Sequence, residues 1–355
     1  SQVLEVLMQR QDLSEQQTSE ALQALVAGAE PTQMAAFLVL LRAKGETAEE
    51  IAGLAKAMRA LSIPVHTSYD GKCWVLDIVG TGGDGIGSVN ISTGATVVAA
   101  AAGAKVAKHG NRSVSSLCGS ADVLEALGVA VELGPGGVSL CLEEAGVGFM
   151  FAPTYHPAMK TVVPVRKSLR VRTAFNLLGP MLNPADAAYG LVGVYSTSVS
   201  HLMADALQAS GMRLGVKKAL VVHSSGLDEL TPMGPADVVE VTQQGKHSYS
   251  LEPIELGIPR CEVADLAGGD AALNARILMD AFGGARGPVA DALNLNAGVA
   301  LAAATLAADA KEGVAMAQDA QRSGRAGDTM RKWLEVSQAA RATELAAAAA
   351  PAPAT

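Results

Sequence analysis

Aromatic side chains are scarce in this chain, at 3% of 355 residues, with two Trp, five Tyr and five Phe. The core must therefore be built from Ala, Leu and Val. Hydrophobic residues at 49% and a mean hydropathy of +0.26 supply enough of them, and so many small residues imply close packing of helices on a sheet. Excess positive charge is also missing. A formal net charge of −8, from 27 Lys and Arg against 35 Asp and Glu, argues against nucleic acid or an anionic membrane as the main partner. An acidic chain that binds an anion must gather its cations locally. Cysteine is limited to Cys73, Cys118, Cys141 and Cys261, without CxxC or Cys/His metal spacing, which reads as reduced thiols in a cytosol-like compartment. No apolar run reaches the ~18 residues of a membrane span; residues 94–104 come nearest and end at Lys105. The chain begins at Ser1 with no initiator Met, signal segment or transit segment. Either the Met or a targeting segment has been removed, the second option fitting an organelle-imported protein.

The length predicts one large domain with a smaller one, or two domains. Residues 1–61 read as all-helical. Ser14 with Gln17, and Thr47 with Glu50, have capping-box spacing. Thr32 to Ala43 is an apolar helix with Gly45 as its stop. No reactive cluster lies there, so this part is expected to pack or dimerise. After Pro64 the texture becomes β/α alternation, with strands expected at 75–79, 104–107, 129–132, 149–151, 190–195, 218–222 and 238–241. That rhythm indicates a mostly parallel sheet covered on both faces. Pro157–Leu178 reads as helix or loop able to rejoin the N-terminal helices. Asp270 to Leu345 is helical again, and 346–355 (AAAAAPAPAT) is expected to be a disordered tail. The fold class is α/β, with a small all-helical domain (1–70, joined by about 157–185) and a large α/β domain (71–156 and 186–345).

Chemistry concentrates in four segments. DIVGTGGDGIGSVNIST, residues 77–93, runs from a buried strand through a glycine-rich turn to a helix start. Glycines there let the backbone approach a ligand, and a helix N-terminus offers unpaired N–H groups and partial positive charge. Strand, turn and helix start together make a phosphate cradle. GTGGDG does not fit the dinucleotide G-x-G-x-x-G pattern. Asp84 would repel a bare phosphate, so it is expected to bond a sugar hydroxyl or to act through a metal ion. KHGNRS brings Lys108, His109, Asn111 and Arg112 to the carboxyl end of the next strand, where open α/β sheets bind ligands. In SGLDEL, Asp228 and Glu229 are adjacent carboxylates, hard oxygen ligands that suit Mg2+, with Ser92 as a further oxygen. Arg166, Arg170 and Arg172 lie on one segment. Arg166 and Arg170 are spaced to share a helix face, and a guanidinium can pair with a planar carboxylate through two hydrogen bonds.

Taken in order, AAFLVLLRAKGETAEEIAGL, DIVGTGGDG, SVNIST, KHGNRSVSSLCGSADVLEALG, FMFAPTYHPAMK, VRTAFNLLGPMLNP and GLDEL resemble the anthranilate phosphoribosyltransferases, over residues 12 to 340 or so. The resemblance implies a nucleoside phosphorylase/phosphoribosyltransferase type of fold, paired as a homodimer through the helical domains. It implies transfer of the phosphoribosyl group of 5-phosphoribosyl-1-diphosphate to the amine of anthranilate, in tryptophan biosynthesis, with Mg2+ as cofactor. Carried over residue by residue, Gly80, Gly83, Asp84, Ser88, Asn90, Ile91, Ser92, Thr93, Lys108, Asn111, Ser113, Ser116 and Ser120 would surround the sugar diphosphate. Ser92, Asp228 and Glu229 would hold the metal, and Lys108, Asp228 and Glu229 would carry catalysis. Gly80, Asn111 and Arg166 would contact anthranilate, with His109, His156, Gly179 and Pro180 lining its access path. Three positions depart from the family pattern: Gly94 and Thr96 replace common alanines, and Ser225 a common aspartate. No nucleic acid or membrane partner is implied, and the compartment is the cytoplasm, or a plastid stroma if a transit peptide was removed. Two other readings share features. Pyrimidine nucleoside phosphorylases have the architecture but lack KHGNRS and the Asp-Glu pair; non-catalytic relatives that bind nucleic acid use basic surfaces, against which the −8 charge counts.

Overall fold

The computed structural model describes residues 2–67, 75–82, 85–113, 117–211 and 215–349. The chain opens with α1 (Gln2–Met8), α2 (Glu15–Val26), α3 (Pro31–Lys44) and α4 (Ala48–Ala60). Both expected capping boxes form: Ser14 and Gln17 open α2, and Thr47 and Glu50 open α4. Gly45 ends α3 with φ 94°, a conformation that favours glycine. Glu50 also ties the unit together. Its fully buried carboxylate accepts from Leu13 N at 3.0 Å and meets Lys44 Nζ at 3.0 Å.

Then come β1 (Val75–Gly80), α5 (Ile91–Ala101), β2 (Lys105–Gly110), α6 (Ser120–Ala126), α7 (Pro135–Ala145) and β3 (Val147–Phe151). The segments α8 (Ala152–Tyr155), α9 (Met159–Leu169) and α10 (Phe175–Leu178) lead to β4 (Tyr189–Gly193), and α11 (Thr197–Ala206) to β5 (Lys218–Ser224). A hairpin, β6 (Ala236–Thr242) and β7 (Gly245–Leu251), precedes α12 (Ala271–Phe282), α13 (Pro288–Ala303), α14 (Ala310–Arg322) and α15 (Arg325–Ala349).

The sheet order is β3-β2-β1-β4-β5-β6-β7; the first five strands are parallel, and β6 and β7 join antiparallel. From β1 the chain winds outward to β3, then restarts on the other side of β1 with β4. The switch point therefore lies at β1, where the crevice beyond the strand ends takes ligands. One sheet face is packed by α5, α7 and α12 to α15, through residues such as Val97, Leu142, Leu293 and Trp333. The other carries Val192, Val221 and Val239 against Phe37 and Leu38 of α3, Met58 of α4, Val162 and Val165 of α9, and Met203 of α11. Each such large apolar side chain contributes roughly 1.5–3 kcal/mol on burial. Residues 158–182 thus do pack with the N-terminal helices.

Small residues set the helix spacing. A Cβ on Gly298 of α13 would lie 2.4 Å from Val314 Cα of α14, and one on Gly94 would lie 2.6 Å from Leu293 Cδ2. An alanine at 94 would press on Leu293 and Leu278 here.

Three expectations need correction. Residues 129–132 form no strand, because α15 side chains take their backbone bonds: Ser337 Oγ accepts from Ala130 N, and Arg341 donates to Glu132 O. Strand β7 was not anticipated; it is an edge strand with Lys246 to Ser250 exposed, so no apolar alternation marks it. The tail begins later than 346, since α15 continues through Ala349 and residues 350–355 lie outside the described residues.

Candidate active site

Loops at the carboxyl ends of β1, β2, β4 and β5 meet over the switch point. Gly80 and Gly193 are register partners at the ends of β1 and β4. Asp228 lies across this glycine floor. A Cβ on Gly193 would sit 1.7 Å from Asp228 O, and one on Gly80 would sit 2.4 Å from Asp228 Oδ2. Any side chain at either position would expel the carboxylate. The turn that delivers it has Ser225 at φ 52° and Gly226 at φ 86°, and Leu230 N–H and C=O are both bonded by the Asn296 amide at 3.1 and 2.7 Å. Asp228 Oδ2 accepts from Gly82 N.

Glu229 is half-buried beside it, and its Oε1 accepts from Ser92 N at 3.3 Å, in the first turn of α5. Burial, then repulsion from Asp228, pushes the Glu229 carboxyl up to about 8, although Lys108 and Ser92 oppose the shift. Two acids that repel one another next to a serine at a helix start form a site short of a cation. The donors are hard oxygens, as Mg2+ prefers, and too few to encage it, which suits an ion that keeps water or substrate phosphate as ligands. The set fits Mg2+.

Lys108 reaches the same place from β2. Its side chain is 1% exposed, and Nζ donates to Ile78 O at 2.6 Å. Burial lowers its pKa, while Asp77, Glu229 and Asp228 pull it back up. In the first turn of α5 and after β1, the buried hydroxyls Thr93 Oγ1 and Thr81 Oγ1 have no partner among the described residues. Such groups carry a cost unless a ligand or water bonds them. Asn90 precedes α5, but its amide is engaged: Nδ2 donates to Cys118 O at 3.1 Å and Oδ1 accepts from Asn274 at 2.9 Å. Ile91 is buried in the core and its N–H bonds Val89 O, so its expected ligand contact is not prepared by a free N–H. Ser88 forms a single bridge with Ala267. Asn111 is exposed at the end of β2, and Ser113 and Ser120 flank Gly119. Gly83, Asp84 and Ser116 lie outside the described residues.

Arg112 does not join this set. Its guanidinium pairs with both Glu125 oxygens at 2.5 and 2.7 Å and with Asp122 at 3.2 Å, over the Phe151 ring. Its charge is satisfied on the α6 side, so Lys108 alone supplies a buried cation from KHGNRS.

A second cluster adjoins. The His109 and His156 rings meet edge to face at 5.0 Å, and His109 Nδ1 lies 3.2 Å from Gly179 O. Burial drives both imidazoles toward neutrality, His109 down to about 3 and His156 to about 4. Pro180 follows Gly179, so the residues expected along an acceptor path do converge. Arg166 on α9 lies over the Phe175 ring at 5.6 Å and pairs with no carboxylate among the described residues; burial lowers its pKa. A half-buried guanidinium without a counter-ion is suited to an anionic ligand. Arg170 departs from expectation: at φ 55° it terminates α9 in a left-handed conformation and shares no helix face with Arg166. Arg172 stacks on Tyr195.

Sequence reasoning missed Gly193, Thr81, Asp77 and Asn183. Asp77 and Thr81 lie within DIVGTGGDG and Asn183 within VRTAFNLLGPMLNP, yet the motifs give them no role of their own, and Gly193 lies in none of the motifs. Asp77, Asn183 and Gly193 matter through residues distant in sequence.

Two family models match the chain: a glycosyl transferase family helical bundle domain over residues 1–62, and a glycosyl transferase family a/b domain over residues 73–327. The chain is 47% identical over 330 residues to the anthranilate phosphoribosyltransferase of Moorella thermoacetica, covering 92% of this chain and 95% of that one. The anthranilate phosphoribosyltransferase structure from Thermus thermophilus matches with a TM-score of 0.88 at 44% identity, over 94% of this chain and 99% of that one. A Saccharomyces cerevisiae anthranilate phosphoribosyltransferase in complex with PRPP and Mg matches with a TM-score of 0.83 at 28% identity, over 92% and 94% of the two chains.

Proposed function

The chain belongs to the anthranilate phosphoribosyltransferase family, and from that premise we infer that it transfers the phosphoribosyl group of 5-phosphoribosyl-1-diphosphate to anthranilate. The products are N-(5-phosphoribosyl)anthranilate and diphosphate, a step in tryptophan biosynthesis. The observation that carries the reading is the convergence of Asp228, Glu229, Ser92 and buried Lys108 over the start of α5.

No general base stands out for the acceptor amine, and none is required. The anthranilate nitrogen is itself the nucleophile and diphosphate is a good leaving group. The chain's residues then have two tasks, alignment of the reactants and stabilisation of charge as the C1–O bond loosens. Lys108 meets the negative charge that grows on diphosphate, aided by the partial positive charge at the start of α5. Thr81 and Thr93 offer hydroxyls to the sugar phosphate, joined by Gly80, Ser88, Asn90, Asn111, Ser113 and Ser120. Asp228, Glu229 and Ser92 would hold Mg2+, which when bound supplies Lewis-acid neutralisation of the diphosphate oxygens. Arg166 pairs with the anthranilate carboxylate, and neutral His109 and His156 line the way in without adding charge.

Residues 1–70 with about 157–185 are taken as the helical unit, 71–156 and 186–345 as the phosphoribosyl-binding unit. Pairing through the helical unit as a homodimer, action in the cytoplasm and the lack of a nucleic-acid partner belong to the same reading. Among the described residues no helix is long and apolar enough to cross a membrane.

The deciding assay follows anthranilate fluorescence in the presence of phosphoribosyl diphosphate and Mg2+. Loss of signal that needs all three components is expected. A steady signal with folded protein, or phosphorolysis of thymidine or uridine instead, would refute the assignment.

A further inference from the structure

Strands β1 and β2 separate before they end. Their register covers only Val75 with Lys105 and Leu76 with Val106. Yet β1 stays paired with β4 up to Gly80, and β2 with β3 up to Gly110. Side chains fill the resulting split. Asp77 Oδ1 accepts from His109 N at 3.3 Å, and Lys108 Nζ donates to Ile78 O at 2.6 Å. Asn183, from the chain returning after α10, donates through Nδ2 to Asp77 Oδ2 at 2.7 Å and to Ala107 O at 2.8 Å. Its Oδ1 accepts from Ala185 N at 2.9 Å. Residues 107, 108 and 109 are thus each held by side-chain bonds where a ladder would ordinarily hold them.

Two N–H donors meeting the two oxygens account for part of the choice of a carboxylate at 77, and its charge has a further role. Asp77 is 3% exposed and Lys108 1% exposed, and a buried charge is tolerated only when compensated. On the ligand side of Lys108, Asp228 and Glu229 are committed to the metal. Behind it, Asp77 is the carboxylate that no ligand takes up.

We propose that Asp77, oriented by Asn183, is a positioning residue that acts through Lys108, fixing its ammonium in the β1–β2 split so that it faces the departing diphosphate. The inference rests on the transferase reading and on Lys108 meeting diphosphate. It adds that a charge absent from every ligand contact governs the transfer step. A structural strap alone would lose one of its two accepting oxygens on Asp77→Asn, and would do so alike whether or not Lys108 is present.

The test is a double-mutant cycle on the whole chain with Asp77→Asn and Lys108→Met, read by kcat, by anthranilate KM and by melting temperature at about pH 8, above the value of about 6 to which burial raises the Asp77 carboxyl. Asp77→Asn should lower kcat by about tenfold or more, as removal of an outer-sphere partner commonly does, with anthranilate KM unmoved. In the Lys108→Met background it should cost no further activity. Melting should show a reversal of sign. Asp77→Asn lowers the midpoint when Lys108 is present and raises it when Lys108 is Met, because Asp77 is then a buried charge without its cation. If Asp77→Asn does not fold, Asn183→Ala should show the same loss of kcat, and the two Lys108→Met proteins still give the second melting comparison. Multiplying activity losses, or melting shifts of the same sign in both backgrounds, would overturn the proposal while leaving the function standing. Absence of wild-type transfer would defeat the functional reading, and this inference with it.

Discussion

Replacing Gly193 with alanine tests the glycine floor under Asp228. The new Cβ would lie 1.7 Å from Asp228 O and 2.5 Å from Asp228 C. These are backbone atoms, so no rotamer change relieves the clash. To reach ordinary contact at 3.4 Å, the Asp228–Glu229 turn must retreat by about 1.7 Å from β4, at an overpacking cost of roughly 1–3 kcal/mol. A shift of about 1 Å in a positioned group costs on the order of a hundredfold in rate. Gly193→Ala should therefore lose about a hundredfold in kcat and need more Mg2+ for half-maximal rate, with anthranilate KM unchanged because Arg166 lies on another element. Steady-state rates across an Mg2+ titration, with circular-dichroism melts to establish the folded fraction, give the comparison. Gly136→Ala in α7, away from the site, is the control: nothing lies within 4 Å of its Cβ. That variant should keep both parameters near wild type. A folded Gly193→Ala protein with wild-type kcat and Mg2+ demand would refute the steric reasoning.

Further outcomes follow from the same geometry. Asp228→Asn and Glu229→Gln should each depress kcat and raise the Mg2+ requirement far more than they alter anthranilate KM; full turnover at low Mg2+ would contradict the assigned ligands. Arg166→Ala should raise anthranilate KM by about tenfold or more, the scale of a lost charge-assisted pair, with kcat at saturation retained; an unaltered KM would reject its role. His156 has its folded pKa lowered from 6.5 to about 4, so the unfolded chain binds the extra proton first as pH falls. Its neutral form contributes stability that is complete above about pH 6.5 and is lost as pH drops toward 4. The stability advantage of wild type over His156→Asn should shrink by about 1.4 kcal/mol per pH unit across that window. Parallel pH profiles from urea melts would exclude the buried-neutral assignment.

The sequence made the local features of this fold legible. Capping boxes, the stop at Gly45 and the apolar cores of β1 to β6 depend on neighbouring residues, and they form where their chemistry predicts. Three features depended on distant partners and could not be read locally. Val129 and Val131 make residues 129–132 look like a strand, but Ala130 N and Glu132 O are bonded by α15, about 200 residues later in the chain by the spacing of Ala130 and Ser337. Arg112 looks like a ligand-binding cation, yet Glu125 and Asp122 on the next helix neutralise it. Gly193 has no local motif, and its necessity is visible only once Asp228 is laid over it. Within the site, residues recognisable by type (Lys108, Ser92, Asp228, Glu229, His109, His156) do converge. Their supporting residues Asp77 and Asn183 sit inside the sequence motifs, but their partners lie far off in the chain, and Asn296 has no distinctive surroundings.

The return path from β3 to β4 has a mechanical consequence. Arg166, Phe175 and Gly179 ride on a segment packed among the N-terminal helices, whereas Ser92, Asp228 and Glu229 are anchored to the strand ends. On the proposed reading, acceptor and leaving group would be gripped by two differently rooted bodies, with their separation set by how the helices seat on the sheet. The spacing across which the new C–N bond must form is thus a property of an inter-layer joint, maintained by Phe37, Met58 and Val162 at some remove from the chemistry.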